Sequence, residues 1–442
     1  MRPLIIYNGP LFDGKKVYED GAVYVENGKI VEAGDEEEVF KKIPRRMDMD
    51  FYDARGRVIF PGITNLHNHF YTVLSHGLMP GRKLLDLKTN LESFWWKFDA
   101  SLTPEIVQIS ALVSLLESIR HGVTTIFDHH SSPSSISNIL EVIASVVKRS
   151  GIDAVLCYEI SDRHGREKFY EALDENLNFI EKYKYDKQIK GMLGLHANFT
   201  LSDESLYEIS ENVSGVEAGI HIHCGEDKVD MDYCTEKGYK GPVHRLSRFG
   251  LVSSRSILAH GLFLSQEDYG ILKSSGATVV CNAESNMRNG YGVFDLERFE
   301  EAKFGLGTDG MTSNMFLTLR SAYLSQRQMG KPSSVVSSEL FNSLFGTNSE
   351  VATKVFGRKV GVIEKGASAD IVIFDYVPLV EFNLETLFSH VAFGMCDTPA
   401  MVVFKNGKMI FEKGTFFTLD EELILEESKK LSKILWKNFY NL

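Results

Sequence analysis

The sequence predicts an α/β protein: a (β/α)8 TIM-type barrel with a small β-sandwich built from both chain termini. In the middle of the chain, short apolar runs alternate with helix-like segments, and strands separated by helices form parallel sheets. Near each end, two β-rich runs flank an Asn-Gly-Lys sequence. We therefore expect a composite β-sandwich from 1–60 and 358–419, a barrel from 61–357 and a C-terminal helix from 420–442.

The β-sandwich is predicted from two similar hairpin sequences. They read AVYVENGKIVEAG at 22–34 and AMVVFKNGKMIFEKG at 400–414, and Asn-Gly between β-rich runs is the strongest short hairpin signal. A further strand-like segment, GVIEKGASADIVIFDY at 361–376, precedes the second hairpin. Two unrelated hairpins would show the same pattern, but short β pieces need a shared core, which favours one sandwich.

The barrel is predicted from eight apolar runs that carry polar, ionisable residues at their carboxyl ends. In chain order the runs are 62–69, 123–130, 154–160, 191–197, 219–226, 256–261, 277–284 and 302–310. Eight such strands over about 250 residues indicate a (β/α)8 barrel, whose active site lies at the carboxyl ends of the strands.

Helix-start signals separate several of these runs. In SLTPEIVQISALVSLLESIRHG, Ser101 or Thr103 is the expected cap, Pro104 lies in the first turn, and the helix is expected to stop at Gly122. Ser202 is expected to cap another helix, because acidic residues follow it in the first turn.

The composition argues against several classes of protein. The chain has 442 residues, 43% of them hydrophobic and 24% charged, as in globular proteins. Its net charge of -12 argues against a nucleic-acid partner, and no apolar run approaches the roughly 20 residues of a membrane helix. The five cysteines are irregularly spaced, and the first residues do not resemble a signal peptide, which indicates reduced thiols and a cytoplasmic location.

Histidines gather at the predicted strand ends. Eight of the thirteen lie there: His67, His69, His129, His130, His196, His221, His223 and His260. Imidazole nitrogens with a carboxylate such as Asp309 suit a divalent ion such as zinc. An ion with an open position turns bound water into a hydroxide nucleophile near neutral pH. Glu226, three residues beyond His223, is placed to move protons beside that ion.

Each of these patterns has a simpler interpretation. An isolated His-x-His is more often structural than metal-binding, and spacing does not decide between His221 and His223. We expect Cys224 to be a buried, inert thiol rather than a nucleophile. Trp95-Trp96 is expected in the core or at a subunit contact rather than against substrate. The remaining histidines have no supporting pattern and are expected to be structural: His76, His121, His164, His244 and His390.

The chain contains four motifs that, in this order, resemble those of the amidohydrolase superfamily: PGITNLHNHF, HIHCGED, LAHG and GTDG. The resemblance covers essentially the whole chain, and a β-sandwich from both termini is typical of that superfamily. Within it, the sequence is similar to the cytosine-deaminase-like branch. The segments FWWKFD, DHHSSP and ESNMRNGYG resemble more narrowly the SsnA-type aminohydrolases, which are associated with selenium metabolism.

The resemblance implies a role for each motif residue. It implies that a metal ion is bound by His67, His69, His223 and Asp309. It further implies catalytic roles for Glu226 as proton shuttle, His260 as the residue that orients the hydroxide, and Asp309 as proton acceptor. Substrate contacts are expected from His196, His129 and Asn286.

The sequence departs from those relatives at positions that face substrate. His196-Ala197-Asn198 replaces the usual His-Ala-Pro, and 281–286 reads Cys-Asn-Ala-Glu-Ser-Asn in place of His-Asn-Pro-x-Ser-Asn. Binuclear amidohydrolases carry a carboxylated lysine at the end of the fourth strand, where this chain has His196. The resemblance thus implies one divalent metal per subunit, zinc or alternatively iron, and leaves substrate identity open.

These features predict a metal-dependent hydrolase that deaminates an amino-substituted heteroaromatic ring, such as a purine or pyrimidine, through a metal-bound hydroxide. One alternative is the same site acting on another leaving group, as a chlorohydrolase or cyclic amidohydrolase. Another is a non-catalytic partner in selenium-enzyme maturation. The expected partners are a small-molecule substrate and further copies of the chain in a homo-oligomer, with neither nucleic acid nor membrane.

Overall fold

The centre of the computed structural model, which describes residues 2–43, 48–78, 86–213 and 215–442, is a ring of parallel strands. We number the barrel strands one to eight in chain order: Ile63–Asn68, Val123–His130, Asp153–Tyr158, Ile189–Gly191 with its continuation Leu193–Ala197, Ile220–Cys224, Ile257–His260, Thr278–Cys281 and Phe304–Leu306. Strands one to three and the first segment of strand four form one parallel sheet in that order. The second segment of strand four continues in a parallel sheet with strands five to eight. The predicted barrel is therefore confirmed.

Two parallel bridges and one buried amide close the ring. Ile160 bridges Leu195 between strands three and four, and Asn68 bridges Asp309 beyond strands one and eight. The fully buried Asn348 donates from Nδ2 to the carbonyl oxygens of Thr64 and Leu306, both at 2.9 Å. This closure brings the residues after strand eight beside those of strand one.

The helices mostly surround the barrel, except that Glu36–Lys42 packs on the N-terminal strands. They span Glu36–Lys42, Leu87–Asn90, Trp96–Ala100, Pro104–Arg120, Ile139–Ser150, Gly165–Lys182, Asp203–Asn212, Lys228–Glu236, Pro242–Arg248, Gln266–Ser275, Ala283–Asn289, Met315–Gln328, Ser333–Asn342, Asn348–Phe356, Leu387–Ser389 and Glu421–Asn441. Short 3-10 turns cover Phe70–Ser75, Asn198–Thr200 and Leu296–Phe299, and π-helical turns cover Leu91–Trp95, Ser343–Thr347 and His390–Gly394.

The predicted helix caps are present. The Oγ1 atom of Thr103 accepts from the backbone N–H of Ile106 at 3.4 Å, with Pro104 in the first turn. The hydroxyl of Ser202 accepts from the backbone N–H of Ser205 at 3.1 Å.

Among the described residues no single helix combines the length and apolar composition of a membrane span; one bent pair, 87–100 with 104–120, does so only jointly.

Both chain ends contribute to one nine-stranded sheet beside the barrel. Its strands are Leu4–Phe12, Val17–Glu26, Lys29–Asp35, Asp50–Asp53, Ile59–Pro61, Ile371–Phe374, Ala400–Lys405, Lys408–Glu412 and Thr415–Phe416. The N-terminal and C-terminal halves meet where Phe60 pairs antiparallel with Val372. Both Asn-Gly hairpins are confirmed, and Asn27 and Asn406 adopt the positive φ values, 51° and 48°, that such tight turns require.

Candidate active site

The polar residues at the carboxyl ends of the barrel strands surround a cavity. Its lining includes six of the sequence-predicted side chains: His69, His196, His223, Glu226, His260 and Asp309. His67 lies behind this surface and is fully buried. Predicted residues from strands one, four, five, six and eight therefore converge on one space.

Hydrogen bonds fix the orientation of the predicted metal-binding imidazoles. The Nδ1 atom of His69 lies 2.6 Å from the carbonyl oxygen of His129, and that of His223 lies 2.9 Å from the carbonyl oxygen of His196. Because a carbonyl only accepts, the proton of each neutral ring lies on Nδ1. The two Nε2 atoms face each other at 3.2 Å and are the ring nitrogens that remain for a cation.

Asp309 completes a group of donor atoms around the same point. Its Oδ1 atom lies 2.9 Å from Nε2 of His69 and 3.4 Å from Nε2 of His67. One ring nitrogen from each of His67, His223 and His260 and a carboxylate oxygen of Asp309 lie within 4.8 Å of one another. This group contains His260 where the resemblance implies His69 as a ligand. Three imidazoles and a carboxylate are the ligand types that zinc and iron(II) take in proteins, so the residues fit the expected ion.

The protonation of these groups also suits a cation. Burial lowers the pKa of His67 to about 4 and holds the pKa of His223 well below its usual value, so both rings are neutral near pH 7. Burial alone would raise the pKa of Asp309, but its hydrogen bonds with His67 and His69 hold that pKa well below its usual range. His69 differs: burial lowers its pKa, but the hydrogen bond with Asp309 outweighs burial and raises that pKa to about 9, so this ring must release a proton when it binds metal. Neutral imidazoles and an ionised carboxylate are the forms that bind metal.

Two of the predicted catalytic positions have unusual backbone. Asp309 and His260 adopt φ values of 55° and 78°, in the left-handed region that residues other than glycine rarely occupy. Such strain is typical of functional sites, where the surrounding structure compensates for it. Ser285 adds a further restraint, because its hydroxyl donates to Oδ2 of Asp309 and leaves Oδ1 to the imidazoles.

Glu226 and His260 lie beside each other at the edge of the donor group. Oε1 of Glu226 is 3.7 Å from Nε2 of His260. Burial raises the pKa of Glu226 to about 7, which lets the carboxyl group both donate and accept a proton near neutral pH. The Nδ1 atom of His260 is 2.9 Å from Oδ1 of Asn286, so the Nε2 atom is turned toward Glu226.

The three residues predicted to contact substrate occupy different positions. His196 lines the cavity, with its Nδ1 atom 2.9 Å from the hydroxyl of Thr200. His129 and Asn286 are 0% and 1% exposed and lie behind the lining, where His129 packs against the ring of His223 and Asn286 bonds to His260. Their positions suit support of the ligand and catalytic imidazoles rather than contact with substrate.

The cavity wall also contains residues that sequence reasoning missed. Asp99 and Glu159 line it, and the hydroxyl of Ser131 bridges their carboxyl groups at 3.0 and 2.9 Å. Glu159 ends the third apolar run, where the rule that identified the other polar strand ends would have found it. Trp95 and Trp96 also line the cavity, where the prediction placed no substrate-facing role, although Trp95 packs against the core through Phe94 and Phe98 as expected.

The cysteines take no part in this site as nucleophiles. All five are buried and form no disulfide. Burial raises the pKa of the Cys224 thiol well above its usual value, which keeps the thiol protonated and unreactive.

Comparisons with known proteins agree with this geometry. The chain is 29% identical over 429 residues to the 5'-deoxyadenosine deaminase of Methanosarcina barkeri, a match that covers 94% of each chain. It is 30% identical over 439 residues to the 5-methylthioadenosine/S-adenosylhomocysteine deaminase of Pyrococcus furiosus, with 97% of this chain and 100% of that protein covered.

Among solved structures, an adenosine deaminase from Xanthomonas campestris with bound zinc superposes with a TM-score of 0.84 at 21% identity, over 98% of both chains. The model of the amidohydrolase family matches residues 58–410. The barrel, the terminal sheet and this match together establish that the chain belongs to the amidohydrolase family.

Proposed function

We propose that the protein is a metal-dependent hydrolase that replaces an exocyclic amine on a heteroaromatic ring with oxygen and releases ammonia. The observation that carries this function is the position of Glu226. Its carboxyl group has a pKa of about 7 because it is buried, and it lies 3.7 Å from His260 beside the group of metal-type donors. A purely structural barrel has no use for an acid–base residue there.

The metal in this proposal is held by His67, His69, His223 and Asp309. A divalent ion in that position supplies a water nucleophile near neutral pH, because it lowers the pKa of the water that it binds. Zinc is the proposed ion and iron(II) the alternative, since nitrogen and carboxylate ligands suit both.

The chain's own residues then move the protons. Glu226 donates a proton to a ring nitrogen of the substrate, which makes the adjacent carbon electrophilic, while Asp309 accepts a proton from the attacking water. His260 stabilises the negative charge that develops on oxygen. Asp309 passes the proton that it took from water to the exocyclic nitrogen, which leaves as ammonia when the C–N bond breaks. The deprotonated Glu226 takes the proton of the new hydroxyl group as the C=O bond forms, so that one water is consumed, one ammonia leaves and both carboxyl groups return to their starting forms.

The substrate class that we propose is an aminopurine or its nucleoside. The similar deaminases named above are a 5'-deoxyadenosine deaminase and a 5-methylthioadenosine/S-adenosylhomocysteine deaminase, and both names give adenosine derivatives as substrates. His196 is the proposed substrate contact, because it lies in the lining with its ring centroid 6.4 Å from that of Trp96.

Some sequence predictions enter this proposal unchanged. They are the homo-oligomer, the cytoplasmic location, the link to selenium metabolism and the division of the chain into a composite β-sandwich, a barrel and a C-terminal helix. Their support is the sequence pattern alone.

Ammonia release tests the function. Protein loaded with zinc or iron(II) is assayed against aminopurines, aminopyrimidines, pterins, adenosine derivatives and selenium-containing analogues. We expect ammonia from at least one of these, and we expect Glu226→Gln to keep its metal and lose at least about 10²-fold in kcat, the contribution of general acid–base catalysis. Glu211→Gln, the same change on an exposed helix position, is the matched control.

Other outcomes distinguish the alternatives. Retained activity in Glu226→Gln would contradict the role of Glu226. Chloride release or opening of a cyclic amide, without ammonia, would assign the same site to another leaving group. Metal binding without turnover of any compound would favour the non-catalytic partner.

A further inference from the structure

His129 has a ring nitrogen that the roles described above leave unused. It lies in strand two, is 0% exposed, and its Nε2 atom is 3.0 Å from the carbonyl oxygen of Leu195. Within the described part of the chain, its Nδ1 atom has no hydrogen-bond partner.

The hydrogen bond to Leu195 fixes the tautomer of this ring. A carbonyl oxygen accepts only, so the proton of the neutral imidazole is on Nε2 and a lone pair is on Nδ1. A buried acceptor without any donor is rare in folded proteins and calls for a partner such as an ion.

The surroundings of His129 consist of further imidazole nitrogens. One ring nitrogen from each of His69, His129 and His223 lies within 4.8 Å of the others. The Nδ1 atoms of His69 and His223 face carbonyl oxygens, and Nε2 of His69 also faces Oδ1 of Asp309 at 2.9 Å, so the N–H groups of these rings have other acceptors than His129. Three buried ring nitrogens therefore share one small volume, and a cation placed there would contact all three.

We propose that Nδ1 of His129 is an additional ligand of the metal centre, so that the protein itself supplies four imidazoles and one carboxylate. This inference rests on the proposed metal site formed by His67, His69, His223 and Asp309, and it adds a ligand from strand two. Ligands on opposite sides of an ion with bonds of about 2.1 Å lie about 4.2 Å apart, so small side-chain shifts close the site. The ion that fits is a divalent d-block metal with more than four ligands.

The next residue provides a matched control. His130 is equally buried and its Nδ1 atom also has no partner among the described residues, but successive strand residues point to opposite sides. Its Nε2 atom is 2.9 Å from the hydroxyl of Ser132, and its ring packs against Tyr71 and Tyr158. His130 therefore lies in the same strand as His129 and is equally buried, but it does not belong to the group of possible metal ligands.

Substitution of each histidine by glutamine tests the roles of the two ring nitrogens separately. In His129→Gln the side-chain amide N–H can still donate to the carbonyl oxygen of Leu195, whereas the Nδ1 lone pair is lost. His130→Gln makes the same change at the control position. We expect His129→Gln to bind zinc at least about 10-fold more weakly in competition with a chelator. We also expect its cobalt(II) form to absorb visible light more strongly than wild type, because absorption rises as the coordination number falls.

The inference is overturned if His129→Gln and His130→Gln both match wild type in zinc affinity and cobalt spectrum. If His129→Gln does not fold, X-ray absorption of the zinc-loaded wild type decides by counting imidazole ligands: four support the inference and three overturn it. A wild type that binds no metal would overturn the proposed function as well. One bound metal with an unchanged His129→Gln spectrum would overturn this inference alone.

Discussion

The Nδ1 atom of His67 lies 2.8 Å from the Nε2 atom of His221, so one imidazole supports another beneath the proposed metal. Both rings are fully buried or nearly so. For the Nε2 atom of His67 to bind a cation, the ring proton of His67 must lie on Nδ1. The Nδ1–H group then donates a hydrogen bond to the Nε2 atom of His221. The two histidines of the second His-x-His motif therefore have different positions. His223 lines the cavity, and His221 orients His67, the proposed ligand in strand one.

This relationship predicts that His221 controls metal affinity. His221→Leu removes the acceptor and should weaken zinc binding by about 10- to 100-fold, the usual effect of losing a partner of a ligand. His221→Gln places an amide oxygen near the position of Nε2 and should keep most of the affinity. Chelator competition measures both. Equal affinities for the Leu variant and wild type would show that His221 does not orient His67.

The strand-end rule explains which parts of the site the sequence could predict. Apolar runs with polar residues at their carboxyl ends predict which side chains meet at the cavity, because a parallel barrel brings the carboxyl ends of its strands together. Asp99, Trp95 and Trp96 precede strand two in a segment that is mostly helical, and only tertiary packing places them over the cavity. The partners of individual ring nitrogens, such as that between His67 and His221, likewise depend on side-chain geometry that spacing does not encode.

The buried pair Asp99 and Glu159 predicts a pH-dependent stability. Arg163 pairs with Glu159, so the proton that the pair retains resides on Asp99, whose pKa rises to about 8 because of burial and the charge of Glu159. Between the ordinary carboxyl pKa and about 8, the folded state holds a proton that the unfolded chain releases. The free energy of unfolding contributed by this group therefore falls as pH rises through that window.

Asp99→Asn removes this titration. Relative to the variant, wild type should lose up to about 1.4 kcal/mol of unfolding free energy per pH unit between pH 5 and 8. Urea unfolding at several pH values measures the difference, with the exposed Asp232→Asn as control. Parallel curves for wild type and Asp99→Asn would contradict the shared proton.

The ion pairs of Lys405 connect the terminal sheet to the barrel, and we expect them to stabilise this connection. Its Nζ atom lies 2.6 Å from Asp153 of strand three and 2.7 Å from Asp370, and the lysine is only 3% exposed. Lys405→Met would leave two buried carboxylates without this cation, which typically costs about 3–5 kcal/mol. Urea unfolding should show that loss, whereas Lys408→Met, an exposed change in the next strand, should show little. Equal midpoints for the two variants would mean that the ion cluster does not stabilise the joint.

Trp96 predicts a separation between substrate binding and chemistry. Its ring lines the cavity, and the guanidinium carbon of Arg163 lies 4.9 Å from the ring centroid, which holds the indole in place. An aromatic wall against a planar ring contributes binding that is equal in the ground and transition states, so its loss raises KM and spares kcat. We expect Trp96→Leu to raise KM by about 2- to 10-fold, corresponding to about 0.5–1.5 kcal/mol of aromatic contact. Trp436→Leu, in the C-terminal helix where the indole donates to the carbonyl of Leu74, should leave KM unchanged. A fall in kcat at constant KM for Trp96→Leu would instead place this side chain at the reacting atoms.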